Sequence, residues 1–401
     1  MVKFNGEVSI KKYMRGRFLG KGGFAKCYEF TNVDSKRISA AKIIAKSSLT
    51  KSRAKQKLMS EIKIHRALHH NNIVGFEHFF EDADNVYILL EICTNQTLND
   101  LIRRRKRLQE LEVQCYVIQI IAALKYLHSH RIIHRDLKLG NLFLSSKMEL
   151  KIGDFGLATK LEFEGERKRT ICGTPNYIAP EILEGKQGHS FEVDVWSLGV
   201  IIYTLIIGKP PFETTDVKTT YKRIRLNNYS FPDHVTISDQ ARDLIQKILN
   251  NDPTKRPSLD EMLQHEFLNH GGAIPRLLPA STLACPPSST YIKQFMPAGA
   301  VPKNNAPTQR MADTAPNLGG IGAMGRERGL MNTERVSGKL PPGSATPDTR
   351  LKNTPGKSAK LAYLCSAQST RHLGKEVGRL LVEIWTRISF EQRRHWCLLQ
   401  R

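Results

Sequence analysis

The string His134-Arg-Asp-Leu-Lys-Leu-Gly-Asn141, followed by Asp154-Phe-Gly156, decides how this chain folds. Two carboxylates, Asp136 and Asp154, and the amide of Asn141 bracket a short loop–strand–turn unit. Phosphoryl transfer needs a carboxylate near the attacking hydroxyl and hard oxygen ligands for Mg²⁺. Asp136 fits the first requirement, and Asn141 with Asp154 fit the second. An Asp-rich turn explains any one of these residues alone, but not the full string in this order.

A glycine-rich string, Gly20-Lys-Gly-Gly-Phe-Ala-Lys-Cys27, lies upstream. Glycines between two strands let backbone N–H groups approach phosphate oxygens, although a tight β-turn is the alternative. Lys42 lies in a strand-like segment, where a buried lysine needs an anionic partner. ATP phosphates and the carboxylate of Glu61, on a predicted helix, are suitable partners. A surface salt bridge is the alternative for this pair.

The order of predicted elements indicates an α+β fold with two lobes and a cleft between them. Residues 17 to about 92 read as short β-rich runs with one helical stretch. From residue 97 to 268 longer apolar periodicities predict a larger helical lobe. The predicted helices cover residues 50–69, 111–130, 193–207 and 237–249.

Composition changes on both sides of this region. Residues 1–16 read as an N-terminal extension. Twelve of the 19 prolines lie after residue 270, and residues 269–370 therefore read as a mostly disordered Pro/Gly-rich linker. Apolar residues at helical spacing, mixed with arginines, predict a basic amphipathic helix over 371–401.

Charge and cysteine usage narrow the class of protein. The net charge of +23 favours acidic partners, whether acidic proteins, anionic lipid or nucleic acid. The seven cysteines form no CxxC pair, so neither a zinc site nor a thioredoxin motif is indicated. The longest apolar run, Val195 to Ile207, is too short to span a bilayer, and no signal-peptide core is present. We expect a soluble cytoplasmic or nuclear protein without a transmembrane segment.

These strings, in this order, resemble the protein kinase family, over roughly residues 17–268. The resemblance implies an active ATP:protein phosphotransferase with ATP and Mg²⁺ as cofactors. Lys138, two residues after Asp136, is similar to the serine/threonine class. The implied catalytic and metal-binding roles are Lys42 for the α/β-phosphates, Asp136 for the substrate hydroxyl, Lys138 for the transferred phosphoryl group, and Asn141 with Asp154 for Mg²⁺.

The same resemblance implies a nucleotide pocket with Leu90 as gatekeeper, Glu91 and Cys93 as hinge, and Phe143 under the adenine ring. The full set of implied nucleotide-binding residues is Leu19, Gly20, Lys21, Gly22, Gly23, Phe24, Ala25, Cys27, Ala40, Lys42, Glu61, Leu90, Glu91, Cys93 and Phe143. Four further residues are implied to be structural: Arg135 beside the catalytic Asp, Glu181 paired with Arg256, and Asp194 capping the catalytic-loop backbone.

Longer matches indicate which group of kinases the chain resembles. The glycine string with Ala25 and Cys27, the segment Val74-Gly-Phe-Glu-His-Phe-Phe-Glu-Asp82, and Gly173-Thr-Pro-Asn-Tyr-Ile-Ala-Pro-Glu181 resemble the polo-like kinase family. This implies cell-cycle work at centrosome, basal body or spindle, and protein substrates with an acidic residue near the phosphoacceptor. An aurora-like or NIMA-like kinase, or a kinase-shaped scaffold acting through its tail, is the alternative. The family's polo-box domains are not recognisable in residues 271–401.

Regulation and assembly complete the expectations. Thr170 matches the family's activating phosphorylation site, implying an upstream kinase and a phosphate bound by Arg135; an exposed threonine among basic residues is the alternative. The run Arg103-Arg-Arg-Lys-Arg107 reads as a solvated helix end rather than a docking or import signal. We expect a monomer and no specific nucleic-acid partner.

Overall fold

The computed structural model describes residues 11–23 and 25–295, together with the backbone of two short paired strands, β1 (Val2–Phe4) and β2 (Glu7–Ser9). The helix predicted over 371–401, the linker from residue 296 onward, and Phe24 lie outside the described residues. Within this range the chain forms a small β-rich lobe followed by a larger helical lobe. The predicted α+β fold class is confirmed.

The small lobe is built on a five-stranded antiparallel sheet with strand order β3-β4-β5-β7-β6. The strands are β3 (Tyr13–Lys21), β4 (Ala25–Asn32), β5 (Ile38–Ala45), β6 (Phe76–Glu81) and β7 (Asn85–Leu90). The first begins four residues before the expected boundary at residue 17. Helix α1 (Ser52–Arg66) buries Leu58 and Ile62 against Ile44 and Ile88 of the sheet. Apolar burial on this scale contributes most of what holds the helix there.

The larger lobe surrounds two long helices, α3 (Glu110–Ser129) and α5 (Glu192–Ile207). Helix α5 is buried all round, as an apolar sequence without a polar face requires. It ends at Gly208, whose φ of 97° is left-handed. The other helices are α2 (Leu98–Arg105), α4 (Pro180–Glu184), α6 (Val217–Arg225), α7 (Asp239–Ile248), α8 (Leu259–Gln264) and α9 (Ser289–Lys293).

Two small antiparallel pairs sit at the junction of the lobes. Strand β8 (Ile132–Ile133) pairs with β11 (Thr159–Lys160), and β9 (Leu142–Leu144) pairs with β10 (Leu150–Ile152). The string from His134 to Asn141 is the loop between β8 and β9, and Asp154 lies two residues after the end of β10. The two pairings therefore bring both catalytic strings to one edge of the helical lobe.

Packed structure continues beyond residue 268, into the stretch that the sequence analysis assigned to the linker. Leu278 and Thr282 are buried, at 3% and 1% exposure. Side chains of the domain donate to main-chain oxygens of this stretch: Gln119 Nε2 to Arg276 O at 3.3 Å, and Arg105 Nη1 to Thr282 O. Because carbonyl oxygens are present at every residue, a proline-rich composition does not prevent this packing.

Arg105 differs from the expectation of a solvated helix end. Its guanidinium forms two 2.9 Å hydrogen bonds to the carboxylate of Glu112, and both side chains are almost fully buried. Burial raises the pKa of Glu112 above its ordinary value, with Arg105 opposing the shift.

Within the described residues, no helix is long and apolar enough to cross a membrane.

Candidate active site

Three residues of the glycine loop and the adjacent strands lie side by side. The register pairs Gly20 with Cys27, and Cys27 with Lys42. The turn between β3 and β4 is closed by the Gly22 N–H donating to Ala25 O at 2.9 Å. Among the described residues, apart from the chain neighbours of each glycine, no atom lies within 4 Å of a Cβ built on Gly20 or Gly23, so packing among these residues does not explain the glycines. Their backbone leaves room for a ligand's phosphates at this turn.

The other predicted pocket residues around the glycine loop differ in their exposure. Ala25 is buried in the cluster between the sheet and α1, so its side chain serves the core. Leu19 and Lys21 are exposed on the glycine loop. Cys27 is partly buried, and burial raises the pKa of its thiol.

Lys42 is the centre of a three-residue charge cluster. Its Nζ donates to Glu61 Oε1 at 2.6 Å and to Asp154 Oδ1 at 3.1 Å. Burial alone would lower the pKa of Lys42, but the two carboxylates outweigh it and raise that pKa. Burial likewise opposes ionisation of Asp154, yet Lys42 holds the pKa of this carboxyl below its ordinary range. The cluster therefore joins strand β5, helix α1 and the start of the Asp154-Phe-Gly156 turn.

The catalytic loop holds Asp136 by hydrogen bonds to both carboxylate oxygens. Lys138 Nζ donates to Oδ2 at 2.7 Å, and the Thr174 hydroxyl donates to Oδ1 at 2.6 Å. Lys138 also donates to the Thr174 oxygen at 3.0 Å. Asn141 Nδ2 donates to the main-chain oxygen of Asp136 at 2.9 Å, which leaves the amide oxygen of Asn141 available as a ligand. The sequence analysis did not single out Thr174, which lies 38 residues from Asp136.

Asp194 fixes the backbone of the same loop from helix α5. Its two carboxylate oxygens accept from the N–H groups of His134 and Arg135, each at 2.9 Å. These bonds hold Arg135 at a φ of 65°, a strained conformation for a non-glycine residue. Burial opposes ionisation of Asp194, but hydrogen bonds from His128 and the loop keep its pKa below the ordinary value.

Four aromatic rings between the lobes contact one another in a continuous series, the aromatic stack, at tilted or edge-on angles. Phe155 is fully buried, with ring centroids 4.6 Å from His65 and 5.2 Å from His134. His65, on α1, continues the stack to Phe76 of β6 at 5.6 Å. Burial lowers the pKa of His65 to about 4, so its ring is neutral. Sequence reasoning missed this stack, because its members are scattered between residues 65 and 155 and no local pattern links them.

The hinge residue Glu91 is held by hydrogen bonds to Gly75 and an ion pair with Lys151. Glu91 and Gly75 bond twice: Glu91 N donates to Gly75 O at 2.8 Å, and Gly75 N donates to Glu91 Oε2 at 3.0 Å. Lys151 pairs with the other carboxylate oxygen at 3.0 Å. The side chain of Glu91 thus faces away from the cleft, and its main-chain oxygen remains free among the described contacts.

Several of the predicted adenine-pocket residues lie on strands β5, β7 and β9 or in the hinge itself. Leu90 is opposite Ala40 in the β5–β7 register. Phe143 packs so closely on Gly153 that a Cβ there would lie 2.9 Å from its ring. Burial, with Glu91 nearby, raises the pKa of the Cys93 thiol to about 12. An apolar slot with main-chain polar groups along one edge can take a flat heteroaromatic ring.

The segment from Asp154 to Glu181 carries the predicted regulatory residues. Thr170 is exposed. Arg135 Nε donates to Leu157 O at 2.8 Å, and no described residue gives Arg135 a carboxylate partner. Glu181 and Arg256 form a bidentate ion pair, at 2.7 and 2.8 Å, beneath the segment's end. The segment is therefore anchored at its end, with Thr170 facing solvent.

The donor set fits a magnesium nucleotide. Asp154 and Asn141 offer two oxygens on neighbouring strands' ends, and no cluster of three or more His, Cys, Asp or Glu suited to a metal exists in the part of the chain described. Mg²⁺ is usually held by one or two protein oxygens, with phosphate and water completing its shell.

Comparison with known proteins agrees with this geometry. Residues 13–268 match the family described as Protein kinase domain. The chain is 66% identical over 315 residues to the probable serine/threonine-protein kinase CCRP1 of Zea mays, covering 78% of this chain and 50% of that protein. It is 57% identical over 277 residues to the serine/threonine-protein kinase PLK1 of Xenopus laevis, covering 69% and 46%.

A third relative, the cell cycle serine/threonine-protein kinase CDC5/MSD2 of Saccharomyces cerevisiae, is 54% identical over 279 residues, covering 69% and 39%. The chain spans half or less of the length of these relatives. The polo-like and cell-cycle names of these relatives confirm the resemblance predicted from the quoted strings. The chain belongs to the protein kinase family and, within it, to the polo-like serine/threonine kinases.

Proposed function

We propose that this chain transfers the terminal phosphoryl group of ATP to serine and threonine residues of proteins that act in the cell cycle. One observation carries the proposal: Asp136, Lys138 and Thr174 are joined by three hydrogen bonds at the catalytic loop. Through Thr174, the segment that would bind a substrate is coupled to the residue that would receive its proton.

Each group of this network has a distinct task. Asp136 Oδ2 orients the substrate hydroxyl and accepts its proton as the oxygen attacks, a role for a positioned carboxylate. Lys138 lies 2.7 Å from the same carboxylate, so its charge offsets negative charge on the group in transit. Lys42, held by Glu61, neutralises the α- and β-phosphates.

Asn141 and Asp154 are the residues that would hold Mg²⁺. When bound, this ion neutralises charge on the phosphates and fixes their orientation. The low pKa of Asp154 supports the role, because the carboxylate stays ionised at neutral pH. The backbone turn at Gly22, closed through Ala25 O, would hold the phosphates from above.

The substrate class follows from charge. Lys168 and Arg169 directly precede Thr170, and the catalytic domain contributes part of the net charge of +23. A basic surface beside the catalytic loop favours protein substrates with an acidic residue near the phosphoacceptor. Several relatives carry polo-like or cell-cycle names, which supports a cell-cycle role. We further propose that the chain acts in the cytoplasm or nucleus, at the centrosome, basal body or spindle. We propose a monomer that needs no nucleic acid for its activity.

Regulation is proposed to act through Thr170. A phosphate there adds close to two negative charges, and the guanidinium of Arg135, without a carboxylate partner among the described residues, is the group that would bind it. An upstream kinase is the proposed source of this phosphate.

The decisive experiment incubates the purified chain with Mg-ATP and casein and compares it with Asp136→Asn. We expect phosphoserine and phosphothreonine only with the unmodified chain. Equal labelling by Asp136→Asn would contradict the proposal and favour the kinase-shaped scaffold. A peptide library then tests the acidic preference directly.

A further inference from the structure

The activation segment, which runs from Asp154 to Glu181, is joined to the loop between α4 and α5 at one point before Thr170. Lys168 N donates to His189 O at 2.9 Å, and His189 N donates to Lys168 O at 2.8 Å. The two residues thus form an isolated antiparallel β-bridge. Two reciprocal main-chain bonds fix both the position and the direction of the segment there.

Glycine is required beside this bridge. Gly188 has a φ of 74°, a left-handed conformation that side chains rarely adopt. A Cβ built on it would lie 3.0 Å from both Arg167 Cβ and Lys168 O. The segment therefore passes directly over the face of Gly188 where any other residue carries its side chain.

The side chain of His189 is buried next to the bridge. Its side chain is 1% exposed, and its Nε2 has no hydrogen-bond partner among the described residues. Burial, reinforced by the nearby Arg135, lowers the pKa of His189 to about 4, so a neutral ring fills the space. His189 also lies five residues before Asp194, which holds the backbone of the catalytic loop.

Thr170 is consequently enclosed by two anchors. The bridge at Lys168 lies two residues before it, and the Thr174 hydroxyl, bonded to Asp136, lies four residues after it. Only a short arch between them is left to move, and the arch carries the exposed threonine.

We propose that Gly188 and His189 form a docking notch whose function is to position the activation segment, so that Thr170 is presented for phosphorylation and the substrate groove keeps its shape. This inference rests on the proposed kinase function for its effect on catalysis. The docking itself is independent of that function. Gly188 is a positioning residue, since it touches the segment and not the reacting atoms.

The test compares Gly188→Ala with Gly185→Ala in the full chain. Gly185 lies three residues away in the same loop and has a similar φ of 66°, but no atom lies within 4 Å of its built Cβ. Both variants therefore carry the same backbone strain, and only Gly188→Ala meets the activation segment.

The first readout is limited trypsin digestion, with cleavage after Arg167, Lys168 and Arg169 followed by mass spectrometry. An Asp136→Asn background prevents autophosphorylation from altering the segment. We expect these cuts to be at least tenfold faster in Gly188→Ala and to change less than twofold in Gly185→Ala. Equal rates in the two variants would overturn the notch, whatever the chain's catalytic activity.

The second readout uses the catalytically intact chain. We expect Gly188→Ala to slow phosphorylation of Thr170 by an upstream kinase and to raise KM for a peptide substrate at least fivefold, while KM for ATP stays within twofold. A parallel rise in both KM values would contradict a specific effect on the segment. Should Gly188→Ala fail to fold, Lys168→Pro removes the N–H that donates to His189 O without altering Gly188. Because trypsin does not cut before proline and residue 168 is then no longer basic, the readout in this variant is cleavage after Arg169 alone, which must again be faster than in the parent chain.

Discussion

The Thr174 hydroxyl donates a hydrogen bond of 2.6 Å to Asp136 Oδ1. Thr174 belongs to the activation segment and Asp136 to the catalytic loop, so this bond ties the position of one to the carboxylate of the other. Since Lys138 reaches both residues, a displaced segment would also disturb the lysine.

Thr174→Ala should therefore lower kcat by roughly tenfold or more, since Asp136 loses an orienting donor. Thr174→Ser retains the hydroxyl and should stay within about threefold of the unmodified chain. Steady-state kinetics at saturating ATP make the comparison. Equal losses in both variants would mean that the methyl group, and not the hydrogen bond, matters.

Lys42→Met should abolish most activity while leaving the fold intact. The ammonium group neutralises Glu61 and Asp154 in the free protein, and we expect kcat to fall by roughly a hundredfold or more. Lys46→Met is the matched control, because Lys46 directly follows β5 and its ammonium group pairs with Glu81 outside the cleft. If Lys46→Met lost activity equally, the effect could not be assigned to the cleft.

Thr170→Ala should remove the response to an upstream kinase. Without the phosphate, Arg135 gains no anionic partner, and we expect the activity of the treated enzyme to fall roughly tenfold or more. The measurement is turnover before and after treatment with the upstream kinase. Unchanged turnover in Thr170→Ala would remove Thr170 as the switch.

Folding stability should fall as the pH drops from about 6.5 towards 4. The folded-state pKa of His65 is about 4, against an ordinary value of 6.5, so the unfolded chain takes up a proton in this window that the folded chain does not. The contribution is fully present above pH 6.5 and amounts to at most about 3 kcal/mol. His189 has a similarly lowered pKa and adds to the effect.

Replacing His65 by Phe tests this assignment by its slope. The variant loses the hydrogen bond to Val74 O and should be less stable overall. Its unfolding free energy should nevertheless depend less steeply on pH between 6.5 and 4.5, because unfolding of the variant takes up about one proton fewer than unfolding of the unmodified chain. Chemical denaturation at several pH values measures the slope, and an unchanged slope would contradict the role of His65.

Leu278→Ala tests whether residues beyond 268 belong to the folded domain. Leu278 is 3% exposed, so its truncation should cost about 2–4 kcal/mol and lower Tm by several degrees. Leu277→Ala is the adjacent control: Leu277 is 42% exposed and should cost less than about 1 kcal/mol. Thermal unfolding of the two variants decides between a packed and an unpacked stretch.

Much of this molecule could be predicted from local strings. Periodicity predicted α1, α3, α5 and α7 to within a few residues. These predictions succeeded because the physical requirements of a helix act within one short segment. The strings from His134 to Asn141 and from Asp154 to Gly156 combine carboxylate, amide and glycine at fixed short spacing, so they could be recognised as candidate site residues.

Other features depend on distant contacts. The stack of Phe76, His65, Phe155 and His134, and the burial of Arg105 within a basic run, arise where separate elements meet. A single aromatic ring or arginine in a sequence gives no sign of such a partner. Composition also misled at residues 269–295, because main-chain carbonyls accept hydrogen bonds whatever the side chain.

By itself, the sequence determined the two lobes, the identity of the charged groups and the position of the glycine-rich turn, since each follows from residue type and local spacing. Only the tertiary structure decided which groups meet: Thr174 with Asp136, Lys168 with His189, and Arg105 with Glu112. Side-chain chemistry is a property of each residue, whereas proximity is set by how the whole chain buries its apolar surface and satisfies its polar groups.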